Sequence, residues 1–144
     1  MDIPTVALLR AAYNVLSKEI SAAVQEVAPD QRPSHGNVME QLDFEDGQRL
    51  TDLAEGAGMA PQSIGELVDQ LEELGYVERR PDPDDRRAKR IYRTAKGQRA
   101  TETARTTAFA TEAALSDLLG EEELAGLRSQ LLRIVDEVGG NGPG

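Results

Sequence analysis

Cysteine and tryptophan are missing from these 144 residues, and histidine occurs once, at His35. Without cysteine there is no disulfide framework, no thiol redox chemistry and no thiolate metal site. One histidine leaves a single imidazole base for any nucleophile, and no Gly-rich phosphate loop occurs, so no catalytic set is assembled and no enzyme is expected. Three Tyr and two Phe are too few to build a surface that stacks unpaired bases. No apolar run reaches the length of a membrane span, and the amino terminus lacks a signal-peptide layout, so a cytoplasmic protein without membrane contact is expected. Positive charge is also scarce. Sixteen Lys and Arg face 26 Asp and Glu, a formal net charge of -10, which excludes indiscriminate coating of nucleic acid.

The charge that is present is segregated. Between Arg79 and Arg93 seven basic residues meet only Asp82, Asp84 and Asp85, a local excess of four positive charges. Between Thr51 and Glu78 seven acids stand without a single base. Asp82, Asp84 and Asp85 lack the glycine and distal glutamate of a calcium loop and sit among arginines. They read as partners in a salt-bridge lattice, and neither metal nor cofactor is expected.

Periodicity and punctuation give the order of elements. A first helix is expected from about Pro4, with proline in its first turn, to about Val27. Its apolar residues Val6, Leu9, Tyr13, Leu16, Ile20, Ala23 and Val27 alternate steps of three and four, a heptad seam over three repeats. Thr94 is placed to cap an Ala/Thr-rich helix running to about Leu119. Gly120 breaks it, and Leu124, Leu127, Leu131, Ile134 and Val138 form a second seam. Two seams at opposite ends of a small chain have little within it to cover them, which favours helices shared with a second copy.

Between the seams, Ser34 is placed to cap a short helix from His35 to about Leu42, and Arg49-Leu50 to add a brief strand. Thr51 then caps a helix to about Ala57, with Asp52 in its first turn. Gly58 ends that helix and Pro61 opens the next, which buries Ile64, Leu67, Val68, Leu71 and Leu74 at helical spacing. Gly75 terminates it. Tyr76 to Arg80 and Lys89 to Arg93 read as strands around a loop from Pro81 to Arg87. Helix, turn, helix and hairpin make a winged helix-turn-helix, an arrangement whose commonest use is reading duplex DNA. The fold class is therefore mainly α with a small β-wing. Residues 34–93 form the winged lobe, 1–28 and 94–138 the helical dimerisation region, and 139–144 a flexible tail by composition.

On the second of these helices, the outward face carries Gln62, Ser63, Glu66 and Gln70, beside Gly65, Asp69 and Glu73. Glutamine can bond bidentately to adenine, glutamate can accept from cytosine N4, and serine can donate to a base or phosphate. Arg86 and Arg87 at the loop tip suit a minor groove, where the potential is most negative. Arg79, Arg80, Lys89, Arg90 and Arg93 would meet phosphates.

The stretch from Leu50 to Gly97 resembles the MarR family of bacterial transcription regulators, most specifically in LVDQLEELGYVERRPDPDDRRA and in TAKG. The order of wing and then long helices extends the likeness to nearly the whole chain. The resemblance implies a homodimeric repressor on a pseudo-palindromic operator of double-stranded DNA, relieved by a small-molecule effector. It implies that Arg87 enters a minor groove with Asp85 buttressing it. It also implies a ligand pocket lined by the first, second and fifth helices, which makes Tyr13, Leu16, His35, Met39 and Phe109 candidates, with ordinary core or dimer-interface packing the favoured reading for all but His35. Two departures stand out. Ala60 occupies the recognition-helix cap, where the family carries a polar residue, and Glu66 and Gln70 stand where basic residues are frequent. The alternative reading is a degenerate winged helix whose acidic face docks a basic protein partner, with weak or no DNA binding.

Overall fold

The computed structural model of the protein describes residues 2–42 and 45–140. In chain order the elements are α1 (Thr5–Val27), α2 (Pro33–Gln41), α3 (Leu50–Ala57), α4 (Pro61–Glu73), β1 (Val77–Pro81), β2 (Lys89–Arg93), α5 (Ala95–Leu119) and α6 (Glu121–Ile134), followed by a π-helical turn over Val135–Gly139. By compactness the chain divides inside α5, into residues 1–107 and 108–144. Among the described residues no helix is long and apolar enough to cross a membrane.

The first unit is organised around one core. Val38 and Met39 of α2, Leu53 and Ala54 of α3, and Ile64, Leu67, Val68 and Leu71 of α4 are buried together with Tyr76, Val77, Ile91 and Ala100. Each fully buried large side chain contributes about 1.5–3 kcal/mol of transfer free energy, so this cluster is what holds α2, α3, α4 and the hairpin as one lobe. The hairpin is antiparallel, in register from Val77 opposite Arg93 to Pro81 opposite Lys89. Its first strand starts one residue later than the sequence suggests. Tyr76 is spent on the corner, where its N–H donates to the Leu71 carbonyl at 2.9 Å and its side chain is buried.

Two helix starts also differ from expectation. Arg32, not Ser34, is the N-cap of α2; its N–H donates to Nδ1 of His35 at 3.0 Å. Pro33 fits the first helical position, which draws the start forward, and His35 fills the role a glutamate plays in a capping box. Arg49, not Thr51, is the N-cap of α3, with no side-chain cap bond. The brief strand expected at Arg49-Leu50 is instead a single bridge between Gln48 and Ile91. Its two hydrogen bonds, of 3.1 and 2.8 Å, release the chain straight into the helix.

The α4–β1 corner and the start of α5 are clamped together. Gly75 ends the α4 segment at φ 87°, a left-handed conformation that a side chain would strain. Thr94 Oγ1 donates to the Gly75 carbonyl at 2.5 Å and accepts the Gly97 N–H at 3.1 Å, making the expected cap. Lys96 Nζ donates to the Leu74 carbonyl at 2.8 Å. A Cβ at Gly97 would overlap the carbonyl oxygen of Tyr76, so only glycine lets α5 seat on that backbone. The Thr-x-Lys-Gly run is thus a structural joint.

No residue of α1 is buried, and Val6, Leu9, Tyr13, Leu16 and Val27 of its seam lie exposed. In the second unit, Gly120 separates α5 from α6 at φ 88°, and Glu121, Glu122 and Glu123 occupy the first turn of α6, where they complement the helix dipole. Leu124 is buried, whereas Leu127, Leu131, Ile134 and Val138 remain exposed. Of the tail expected from Gly139, residues 141–144 lie outside the described residues.

Candidate nucleic-acid interface

Helix α4 buries Ile64, Leu67, Val68 and Leu71 and thereby turns Gln62, Ser63 and Glu66 outward. Its N-cap, Ala60, makes no side-chain cap bond. The helix is acidic, but not all of that charge is uncompensated. Arg79 of β1 reaches back, with one guanidinium nitrogen 2.6 Å from Asp69 Oδ1 and the other 2.8 Å from Glu72 Oε1. Its N–H also donates to Glu72 Oε2 at 3.1 Å. Glu66 and Glu73 form no ion pair among the described residues. Gln70, half buried, has its Oε1 turned to α2, where it accepts from Arg32 Nη2 and sits 2.8 Å from His35 Nε2. The four residues assigned to base reading therefore separate into an exposed trio and one held from behind.

The wing is built round Asp82, whose carboxylate is fully buried. Its Oδ2 lies 2.7 Å from Arg49 Nε and 3.0 Å from Arg90 Nε, and its Oδ1 accepts the Asp84 N–H at 2.8 Å. That N–H and the two guanidinium groups hold the carboxyl well below the usual carboxylate range, against the opposing effect of burial. Arg90 also faces Asp84, at 3.8 Å. The salt-bridge lattice read from the sequence is present, and it absorbs cations that the charge pattern alone assigns to phosphates.

Arg80 pairs with Glu78 and lies over the Tyr92 ring at 4.5 Å. Arg93 turns inward, donating to the carbonyls of Met39 at 2.8 Å and Leu42 at 2.6 Å. At the tip, Asp85 Oδ1 accepts the Arg87 N–H at 3.0 Å, so its carboxylate shapes the turn through the backbone. Arg86, Arg87 and Lys89 are exposed, and their side chains make no ion pair among the described residues.

The winged lobe is similar to known proteins. The MarR family model matches residues 33–89. No curated protein matches this chain in sequence. Among solved structures, a mutant MepR from a multidrug-resistant S. aureus isolate is 21% identical, with 96% of this chain and 99% of that chain covered and a TM-score of 0.76. CouR from Rhodococcus jostii bound to p-coumaroyl-CoA is 26% identical, covers 90% of each chain and gives 0.72. CouR, a transcriptional repressor, bound to a 23-mer DNA duplex is 27% identical over 91% of this chain and 92% of that chain, at 0.71.

The residues expected to line a ligand pocket do not share one setting. Tyr13 and Leu16 lie exposed on α1, His35 and Met39 are buried in the lobe, and Phe109 is exposed in the second unit. Glu40 and partial burial raise the Tyr13 phenol above its usual range. An open groove of about 730 Å³ is lined instead by Val27 of α1 and by Lys96, Arg99, Glu102, Thr103, Thr106 and Thr107 of α5. None of the five candidates lines it.

Sequence reasoning missed two clusters. Arg49 carried no signal of its pairing, since its partner Asp82 is one of three similar acids in the wing. Asp30, Tyr76 and Lys96 form the other. The buried Tyr76 hydroxyl donates to Asp30, and Lys96 Nζ lies 3.5 Å from Asp30 Oδ2 and 4.3 Å from the centre of the Tyr76 ring. Burial, then Asp30, pushes the Tyr76 phenol up, and the Tyr76 bond draws Asp30 down.

Proposed function

We propose that this chain is a MarR-family transcription regulator, not an enzyme, and acts as a cytoplasmic homodimeric repressor that holds a pseudo-palindromic operator and lets go when a small molecule binds. The observation that carries the reading is the pattern of charge satisfaction. Arg49, Arg79, Arg80, Arg90 and Arg93 are engaged within the lobe, while Arg86, Arg87 and Lys89 stand exposed at the wing tip. A basic wing tip and an exposed row of Gln62, Ser63 and Glu66 together supply minor-groove attraction and base-edge chemistry. Affinity resides mainly in Arg87, Arg86 and Lys89, and selectivity in α4. Asp85 supports Arg87 by fixing the turn, and Arg79 and Arg90 order the wing that presents it.

The exposed apolar seams of residues 1–28 and 94–138 supply the dimer surface. Two lobes so joined must set their recognition helices about 34 Å apart to meet successive major grooves. A ligand that alters this spacing weakens binding through a coupling of about 1–3 kcal/mol. The CouR structures, one with a DNA duplex and one with p-coumaroyl-CoA, support both halves of the reading by analogy. A promoter blocked by a bound dimer needs no further contacts for repression.

The test combines sedimentation of the free protein with anisotropy of labelled duplexes from the chain's own upstream region, across a salt series. A dimer that retains one duplex against competitor DNA with a steep salt slope supports the proposal. Monomeric sedimentation, or no binding to the upstream region at low salt, overturns it.

A further inference from the structure

The surroundings of Gln70 restrict what that side chain can say to DNA. The His35 ring is buried and its Nδ1 accepts the N–H of Arg32 at 3.0 Å. A neutral imidazole that accepts at Nδ1 carries its proton on Nε2, so Nε2 donates to Gln70 Oε1 at 2.8 Å. Arg32 Nη2 donates to the same oxygen, and guanidinium has no other role to offer. An amide oxygen has two lone pairs, and both are now used. The amide nitrogen of Gln70, by contrast, donates to no partner among the described residues.

We infer that Gln70 acts as a donor-only reader that favours guanine and selects against adenine at one base pair of each half-site. The usual glutamine–adenine pair needs the oxygen to accept from N6 while the nitrogen donates to N7. With its oxygen committed to α2, Gln70 cannot complete that pair. Guanine presents N7 and O6, two acceptors side by side, and the Gln70 NH2 can serve them without any acceptor of its own. Gln62 has no such restraint and keeps both capacities. Gln70 lies seven residues beyond Ser63 on the same stripe of α4, about 10 Å along the helix axis, so the two address different base pairs. Arg32 and His35 are positioning residues in this scheme: they set the polarity of a side chain that itself touches the base. The inference rests on the DNA-binding reading and deepens it.

The experiment is selection from a randomised duplex pool, followed by anisotropy at each position, with the full chain and with Gln70→Glu, Gln70→Ala and Arg32→Ala. Gln70→Glu keeps an acceptor for His35 and Arg32 but removes the donor. Both Gln70 variants should lose a guanine preference at one position per half-site, by roughly 5- to 100-fold, with other positions unchanged. In the parent protein 7-deazaguanine at that position should mimic the loss. Arg32→Ala, at an exposed residue, frees one lone pair and should raise tolerance of adenine there without altering thermal stability. A Gln70-dependent position that prefers adenine overturns the inference, as do identical preferences in all four proteins. Failure of the parent protein to prefer any duplex removes the DNA-binding reading itself, and the inference with it.

Discussion

Arg49 Nε lies 2.7 Å from Oδ2 of Asp82, so the cap of α3 is tied to the first residue of the wing loop. Arg90 of β2 shares that oxygen at 3.0 Å, and one buried carboxylate therefore fixes the wing against the helix-turn-helix. The pH consequence has a definite sign. The carboxyl sits below its unfolded value of about 3.9, so its stabilisation is complete above about pH 4 and is lost as pH falls through the folded value. Thermal midpoints from pH 7 to pH 2 should fall less steeply for Asp82→Asn than for the parent protein, from a lower starting value at pH 7. Parallel curves would show that Asp82 does not carry this acid sensitivity.

Arg87→Ala should weaken operator binding by tenfold or more, and Glu73→Ala by less than threefold, on the usual scale of charged contacts to DNA. Removing Arg86, Arg87 or Lys89 should each flatten the salt slope by about 0.9 for every phosphate that the side chain had neutralised. Arg93→Ala should leave the slope unchanged and lower the thermal midpoint, because its guanidinium serves the Met39 and Leu42 carbonyls. Equal effects of Arg87→Ala and Glu73→Ala would mean that the wing tip is not the anchor.

Glu66 is exposed on α4 without an ion pair among the described residues, so it repels phosphate wherever it does not meet a cytosine amino group. Glu66→Arg should raise affinity for unrelated duplexes at least fivefold and reduce discrimination between operator and competitor, measured side by side at one salt concentration. Loss of binding to every sequence would contradict the repulsion.

The lobe was legible because its signals are local. The stripe from Ile64 to Leu71, the stops at Gly58 and Gly75 and the Thr94 cap are each written within a few residues. The two helix starts depend on tertiary facts that no local pattern carries. Ser34 and Thr51 are good caps by type, but His35 bonds Arg32 and the Gln48–Ile91 bridge decides where α3 begins. The candidate site was half legible. The excess of positive charge in the hairpin was countable, but which cations remain unpaired depends on side-chain geometry. Arg79, Arg80, Arg90 and Arg93 look alike in sequence to Arg86 and Arg87, and only the fold separates the engaged from the exposed.

Gly97→Ala should destabilise the lobe by about 3 kcal/mol or more, since the clash is with backbone and no side chain can give way. Gly126→Ala in α6 meets nothing within 4 Å and should instead stabilise its helix by about 0.5–1 kcal/mol. Denaturant midpoints of the two variants test both statements, and a neutral Gly97→Ala would show that the joint can relax.

The seat of α5 on the Tyr76 carbonyl has a mechanical meaning as well. A joint cushioned by side chains absorbs small tilts by changing rotamers, as a loose coupling absorbs the first degrees of a turning shaft. Here backbone bears on backbone, with Thr94 and Lys96 pinning the Gly75 and Leu74 carbonyls on either side. A tilt of the first turn of α5 therefore reaches the end of α4 and the root of β1 without backlash.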